Sequence, residues 1–225
     1  MQVDYGWPLE SFKACGDEPR QIRAGALHGP RDTHAPLRRP TYAATVSIEV
    51  VEYSAHWPVQ FELVASDLRR ALAGVEYVSI EHVGSTAVPG MAAKPVLDID
   101  IVVLRDRVGD AIGSLEAAGY THRGDLGVTD REAFLAPDDN PRRHVYVCVA
   151  GTTNLRNHLA VRDVLRQRPD LRDRYSAVKI RLAENPDMDI DAYVAGKSGV
   201  LQEVLALSDL SDLERATILD LNSRA

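Results

Sequence analysis

The segment Pro95-Val96-Leu97-Asp98-Ile99-Asp100-Ile101-Val102-Val103 constrains this chain more than any other. Its β-branched and apolar residues call for an extended strand, and a strand alternates its side chains between two faces. Leu97, Ile99 and Ile101 therefore share one face, and Asp98 and Asp100 share the other. The first face belongs in a core. The second holds two carboxylates side by side on rigid backbone, where like charges repel unless a cation bridges them or one carboxylate takes a proton. Mg²⁺ suits such a pair, because it takes oxygen ligands from one or two carboxylates and completes its shell with water and substrate phosphate.

Upstream of this strand lies His82-Val83-Gly84-Ser85-Thr86-Ala87-Val88-Pro89-Gly90. Gly84, Ser85 and Thr86 offer what a phosphate needs: a glycine that lets backbone approach closely, with N–H and hydroxyl donors beside it. If Thr86 opens a short helix, its first N–H groups add to the anion site. Gly-Ser-Thr alone is a common turn. Its place just ahead of an acidic strand gives it weight, since metal and phosphate sites would then face each other.

The remaining pattern is that of one α+β unit. Residues 1–44 carry five prolines and four glycines with no sustained period, and read as a poorly ordered N-terminal extension. Val46 to Tyr53 is rich in β-branched residues and reads as a strand. A helix opens near Pro58 with Phe61, Val64, Leu68 and Leu72 on one stripe. Val75 to Val83 reads as a strand and Val108 to Ala118 as a short helix. Glu132–Ala136 and Arg143–Ala150 flank a cluster of turn formers as a β-hairpin. From Asn154 the pattern is helical, with breaks at Pro169, Pro186 and near Ser208. The expected fold of residues 45–225 is a mixed sheet to about residue 150, followed by a C-terminal helical lobe.

Charge narrows the function further. The 225 residues carry a net charge of −7, which argues against nonspecific nucleic-acid binding. Cys15 and Cys148 form no metal-ligand spacing. No apolar run reaches the roughly 18 residues of a membrane span, and the N-terminus lacks the apolar stretch of an export signal. The expected location is cytoplasmic.

The run from His82 to Asp100 resembles the signature of the GrpB family, a His-Ile/Val-Gly-Ser-Thr-Ala-Val-Pro-Gly stretch that leads to Lys-Pro and an Asp-containing strand. Further matches are Tyr53, Trp57, His144, His158-Leu159, Arg162-Asp163, Leu165-Arg166, Tyr175, Lys179, Tyr193 and Gly196-Lys197. The resemblance covers about residues 46–207. The family is similar in turn to the DNA polymerase β-like nucleotidyltransferases, in which a serine loop holds a triphosphate and an Asp-x-Asp strand holds Mg²⁺. The resemblance implies the first role for Gly84 and Ser85, and the second for Asp98 and Asp100. The implied chemistry is in-line attack on a nucleotide α-phosphate with pyrophosphate leaving. The implied partners are a nucleoside triphosphate and an acceptor.

Two departures stand out. Active transferases commonly place a third carboxylate on a later strand, whereas here His144-Val145-Tyr146-Val147-Cys148-Val149 has none: either His144 is the substitute ligand or base, or the second metal is missing and transfer is lost. Leu155 stands where the family often has tryptophan, which bears on packing.

Lys94, Arg162, Lys179 and Lys197 are candidates to neutralise a polyphosphate, and Tyr175 and Tyr193 to stack on a base or bond a phosphate. Against this stands the usual place of such cations on solvated helix faces. Arg162-Asp163 also reads as an internal ion pair, Arg142-Arg143 as a charged hairpin tip, and His158 as structural. His82 reads either as a phosphate donor or as a half-buried polar group. Three functions compete: a nucleotidyltransferase; a noncatalytic module for a nucleotide or coenzyme-A-like phosphate compound, since similar family domains occur fused to dephospho-coenzyme-A kinase; and a metal-dependent phosphohydrolase using His82 and His144.

Overall fold

The computed structural model describes residues 48–223. The extension at 1–44 and the start of the strand expected at Val46 lie outside them. The described part of that strand is not formed, and Val51 alone makes an isolated bridge to Ala93, with N–H to carbonyl distances of 2.9 Å both ways. β-branched composition supplies propensity, but a strand needs a partner along its length, and here the partner is a loop that meets it at one residue.

Helix α1 (His56–Ala71) buries Trp57, Phe61, Val64, Ala65 and Leu68 at helical spacing. Strand β1 (Ser79–Val83) is shorter than the expected Val75–Val83. It leads through a single 3₁₀ turn at Ser85–Ala87 to β2 (Leu97–Val103). Helix α2 (Val108–Ala117) follows, then the two-residue β3 (Thr121–His122) and the expected hairpin as β4 (Arg131–Leu135) and β5 (Arg143–Val149). The lobe consists of α3 (Thr153–Gln167), α4 (Pro169–Ala183), α5 (Ile190–Ala206) and α6 (Asp212–Ser223). Pro169 opens α4, while Pro186 and Ser208 fall between helices.

The sheet order is β1-β2-β5-β4-β3, with β2 and β5 parallel and every other pair antiparallel. β2 is therefore interior, paired on both edges. Its two faces meet different material. Leu97, Ile99, Ile101 and Val103 join α1, α2, Val145 and Val147 in the main core. Asp98, Asp100 and Val102 face the lobe, where Val102, Ala133, Tyr146, Cys148 and Leu155 form a small apolar cluster. The fold is α+β, with flanking helices on one sheet face and a helical lobe on the other.

The loop after β1 ties the lobe to the sheet. Val88 and Met91 belong to the lobe's own core with Leu171, Leu201 and Val204. Arg166 donates twice to the Ala87 carbonyl, at 3.0 and 2.8 Å, and Ala92 N–H donates to Ser176 Oγ at 3.1 Å. Within the lobe, a Cβ at Gly196 would meet Leu182 Cδ2 at 2.7 Å, so α5 lies close to α4 there and any larger residue would have to move the Leu182 side chain.

Candidate functional site

The site grows from the polar face of β2. The parallel register with β5 sets His144 opposite Asp98 and Tyr146 opposite Asp100. His144 Nδ1 makes a 2.9 Å hydrogen bond with Asp98 Oδ1. From α3, His158 Nδ1 makes a 2.7 Å hydrogen bond with Asp100 Oδ2, and both side chains are buried. The two carboxylates thus each hold an imidazole through one oxygen. Of the other two oxygens, Asp100 Oδ1 is buried without a hydrogen-bond partner. Asp98 Oδ2 lies against the loop, since a Cβ built on Gly84 would fall 2.2 Å from it. Gly84 has φ +69°, so the loop requires glycine on two counts, conformation and space.

Lys179 and Lys197 of the lobe and Lys94 of the loop before β2 line the same cleft as Asp98. Lys179 Nζ donates to Ser85 Oγ at 2.8 Å and sits 4.7 Å from the centre of the Tyr175 ring. Lys94 and Lys197 share the Tyr193 ring, at 4.6 and 4.7 Å. Such placement over aromatic faces is favourable to ammonium groups held away from bulk water. The cleft has a volume of about 80 Å³. Burial raises the Asp98 carboxyl above its usual range, while the hydrogen bond from His144 works in the other direction. Burial likewise pushes the Cys148 thiol well above its ordinary range, with Asp100 adding to the effect.

The family model described as GrpB protein matches residues 47–207. The chain belongs to the GrpB family. It is 35% identical to a UPF0157 protein of Halalkalibacterium halodurans over 71% of this chain and 81% of that one. It is 29% identical to the glutamate-rich protein GrpB of Alkalihalophilus pseudofirmus, over 69% and 92%. A dephospho-CoA kinase of Mycolicibacterium paratuberculosis is 31% identical over 68% of this chain, but the match spans only 44% of that protein. Among solved structures, the conserved protein GrpB from Enterococcus faecalis has a TM-score of 0.61 at 32% identity, covering 70% of this chain and 98% of that one. The Cid1 poly(U) polymerase, in a structure bound to MgATP, has a TM-score of 0.50 at 12% identity over 72% and 54%. That second likeness is one of fold, and it makes this GrpB fold nucleotidyltransferase-like.

Gly84, Ser85, Thr86, Lys94, Asp98, His144, Tyr175, Lys179, Tyr193 and Lys197 of this GrpB protein all line the cleft. Asp100 lies beneath it, joined through His158. Two expected site residues lie elsewhere. His82 pairs in register with Ile99, hence on the apolar face, where it stacks on Phe61 at 4.7 Å and bonds Thr86 Oγ1 through Nε2 at 3.0 Å. Burial, with Arg166 and Arg162 nearby, lowers its pKa to about 4. Arg162 is held by Glu81 and Asp163, each at 2.7 Å, and donates to the His82 carbonyl at 3.3 Å. It braces α3 against β1. Arg143, expected in a charged hairpin tip, is bonded twice to Asp138 there and is itself buried.

The lobe supplies further residues to the cleft: His158, expected as structural and held on buried Asp100, and Asn157, which no motif marks. Their signal was helical phase: His158, Val161 and Leu165 follow one another at i, i+3 and i+7 on the buried side of α3. Asn157 Oδ1 is buried with no hydrogen-bond partner.

Among the described residues no cluster of three or more His, Cys, Asp or Glu side chains is placed to hold a metal. Asp98 beside Asp100, whose Oδ1 is buried without a hydrogen-bond partner, would suit a different case, a cation that arrives with phosphate and keeps water and phosphate oxygens as its remaining ligands. No helix among the described residues is long and apolar enough to cross a membrane.

Proposed function

We propose that this GrpB protein binds a Mg²⁺–nucleoside triphosphate between the polar face of β2 and the helical lobe, and transfers a nucleotidyl group to a hydroxyl or phosphate acceptor. The observation that carries the reading is the meeting of two parts at one small cleft. Asp98 lines the cleft with Asp100 buried beneath it and joined to His158, and Lys179, bonded to Ser85 of the glycine loop, lines the same cleft. Asp98 and Asp100 would hold the metal, which when bound neutralises charge on the phosphates and orients their oxygens. Ser85 and the loop backbone grip phosphate oxygens, and Lys94, Lys179 and Lys197 neutralise the chain. Tyr193 and Tyr175 position those ammonium groups through their ring faces.

The volume sets a further condition. Pockets for drug-sized ligands run to about 300–1,000 Å³, well above the roughly 80 Å³ of the cleft. The cleft as it stands takes the phosphate end of a nucleotide, and the lobe must swing outward for the rest. Nucleoside triphosphates put the reaction in the cytoplasm.

The noncatalytic alternative draws on the same cage of lysines and tyrosines, which recognises a phosphate compound whether or not transfer follows. The partial match to a dephospho-CoA kinase favours a coenzyme-A-like ligand for that reading. The hydrolase reading needs His82 and His144 together, and they lie on opposite faces of the sheet.

The test is calorimetric titration of ATP, GTP, CTP and UTP with Mg²⁺ into wild type and an Asp98→Asn, Asp100→Asn double variant, with pyrophosphate assayed in the same samples. Metal-dependent binding that the double variant loses supports the site, and pyrophosphate release then selects transfer over recognition. Absence of binding to wild type would overturn the nucleotide reading.

A further inference from the structure

We infer that His82 is a positioning residue for the phosphate site: acting through the Thr86 hydroxyl, it sets where the Ser85–Ala87 turn stands relative to the strand that carries Asp98. The inference rests on the reading above that the cleft takes a nucleotide.

The turn needs a hold from outside itself. It is three residues long and is closed by two backbone bonds, Ala87 N–H to the Gly84 carbonyl at 3.3 Å and Val88 N–H to the Ser85 carbonyl at 3.2 Å. Both bonds are long, and a 3₁₀ segment of this length has little stability of its own. Yet its first residue is Ser85, which meets Lys179 at the cleft. The side toward the strand has no slack either, because a Cβ on Gly84 would fall 2.2 Å from Asp98 Oδ2.

The hold is a relay of three groups. His82 Nε2 lies 3.0 Å from Thr86 Oγ1, and Thr86 Oγ1 donates to the Val96 carbonyl at 3.3 Å. A hydroxyl has one proton to give. Thr86 gives it to Val96, so His82 Nε2–H is the donor in the other bond. The relay therefore joins β1 through His82, the turn through Thr86, and the approach to β2 through Val96, two residues ahead of Asp98.

It works from the buried side of the loop. Thr86 is 1% exposed and His82 is 7% exposed. The His82 ring lies parallel to Phe61, with 8° between the planes, and the His82 carbonyl accepts from Arg162 at 3.3 Å. Ring and backbone of the donor are thus both fixed. A satisfied buried relay of this kind makes its surroundings rigid, and removal of one member leaves the next without its partner. Thr86 was expected to offer its hydroxyl to phosphate, but it spends that proton inside the protein. Thr86 lines the cleft and His82 does not, so His82 reaches a ligand only by way of the turn.

The experiment measures calorimetric affinity for ATP, GTP, CTP and UTP with Mg²⁺ in the full chain. It compares wild type, His82→Phe, Thr86→Val, Thr86→Ser and the His82→Phe, Thr86→Val double variant, each checked for folding by circular dichroism. His82→Phe keeps an aromatic ring on Phe61 and removes the donor. It should weaken binding about 10- to 100-fold, the usual cost of losing a group that orients a binding residue from behind. In the Thr86→Val background the same substitution should add little, because the group it acts through is already gone. Thr86→Ser, which keeps the hydroxyl, should bind more tightly than Thr86→Val. In wild type, ¹⁵N shifts of the imidazole should show the proton on Nε2. A folded His82→Phe that binds as wild type does, or a loss of equal size with and without the Thr86 hydroxyl, overturns the inference and leaves the proposed function standing. A proton on Nδ1 in place of Nε2 does the same. If His82→Phe fails to fold, equal affinities of Thr86→Ser and Thr86→Val overturn the inference. Absence of nucleotide binding to wild type overturns both.

Discussion

Strand β2 has two faces that are both largely buried and chemically opposite. Ile99 and Asp100 are neighbours in the chain, and each is 0% exposed. Ile99 packs among α1, α2 and the apolar side of β5, where removal from water contributes about 25 cal/mol per Å². Asp100 is spent differently. A buried carboxylate costs desolvation energy that its hydrogen bond to His158 offsets only in part, and well-packed apolar residues generally do as well or better for stability. One face therefore holds the fold together, and the other is kept for what it can bind.

The sharpest way to break that contrast is Ile99→Ala. On the apolar face it should cost about 2–5 kcal/mol, through lost burial and an incompletely filled cavity. Urea unfolding followed by circular dichroism measures it, and a cost below about 1 kcal/mol would mean that this face does not carry the core.

His82 tests the same face from the polar side, because it is an imidazole set among apolar residues. Its folded pKa of about 4 lies below the ordinary 6.5. Between those values the unfolded chain takes a proton that the folded protein refuses, so stability falls as pH drops through this window. The loss reaches about 3 kcal/mol once pH nears 4. Wild type should thus lose more stability than His82→Gln between about pH 7 and pH 4. Parallel curves for the two proteins would place His82 in water.

Gly84→Ala moves to the boundary between loop and polar face. The new Cβ would overlap Asp98 Oδ2 at a backbone φ of +69°, so the carboxylate or the loop must shift. The expected cost is about 1–3 kcal/mol of strain, with loss of nucleotide binding that exceeds what that destabilisation explains. Calorimetry on the folded variant separates the two effects.

These contrasts also mark what the sequence could say. The alternation in β2 was readable because period two depends only on the chain itself, and the same holds for the stripe of α1 and the glycine loop. For His82 and Arg162 two readings stayed open, a phosphate contact or a half-buried, ion-paired role, because the choice depends on partners far along the chain. His82 needed the pairing with Ile99 and the packing of Phe61 to show which face it takes. Arg162 needed Glu81, some eighty residues away in sequence. His158 looked structural because nothing local reveals that α3 crosses the polar face and delivers it to Asp100. The strand expected from Val46 failed for the related reason that propensity does not provide a partner edge.

The smallest expected effect on stability makes the clearest statement about the polar face. Burial raises the Asp98 carboxyl above its usual value, so the folded protein holds that proton more tightly than the unfolded chain does. Above the raised value the ionised carboxylate weighs against folding, and this penalty fades as pH falls toward the ordinary carboxylate range. Asp98→Asn keeps the shape and an oxygen for His144 Nδ1 while removing the charge. Its stability should stay within about 1 kcal/mol of wild type at neutral pH, favouring the variant there, with the difference shrinking in acid. Nucleotide binding should be lost all the same. A variant that binds as before but unfolds several kcal/mol more easily would make Asp98 a structural residue, and the division of labour between the two faces would have to be given up.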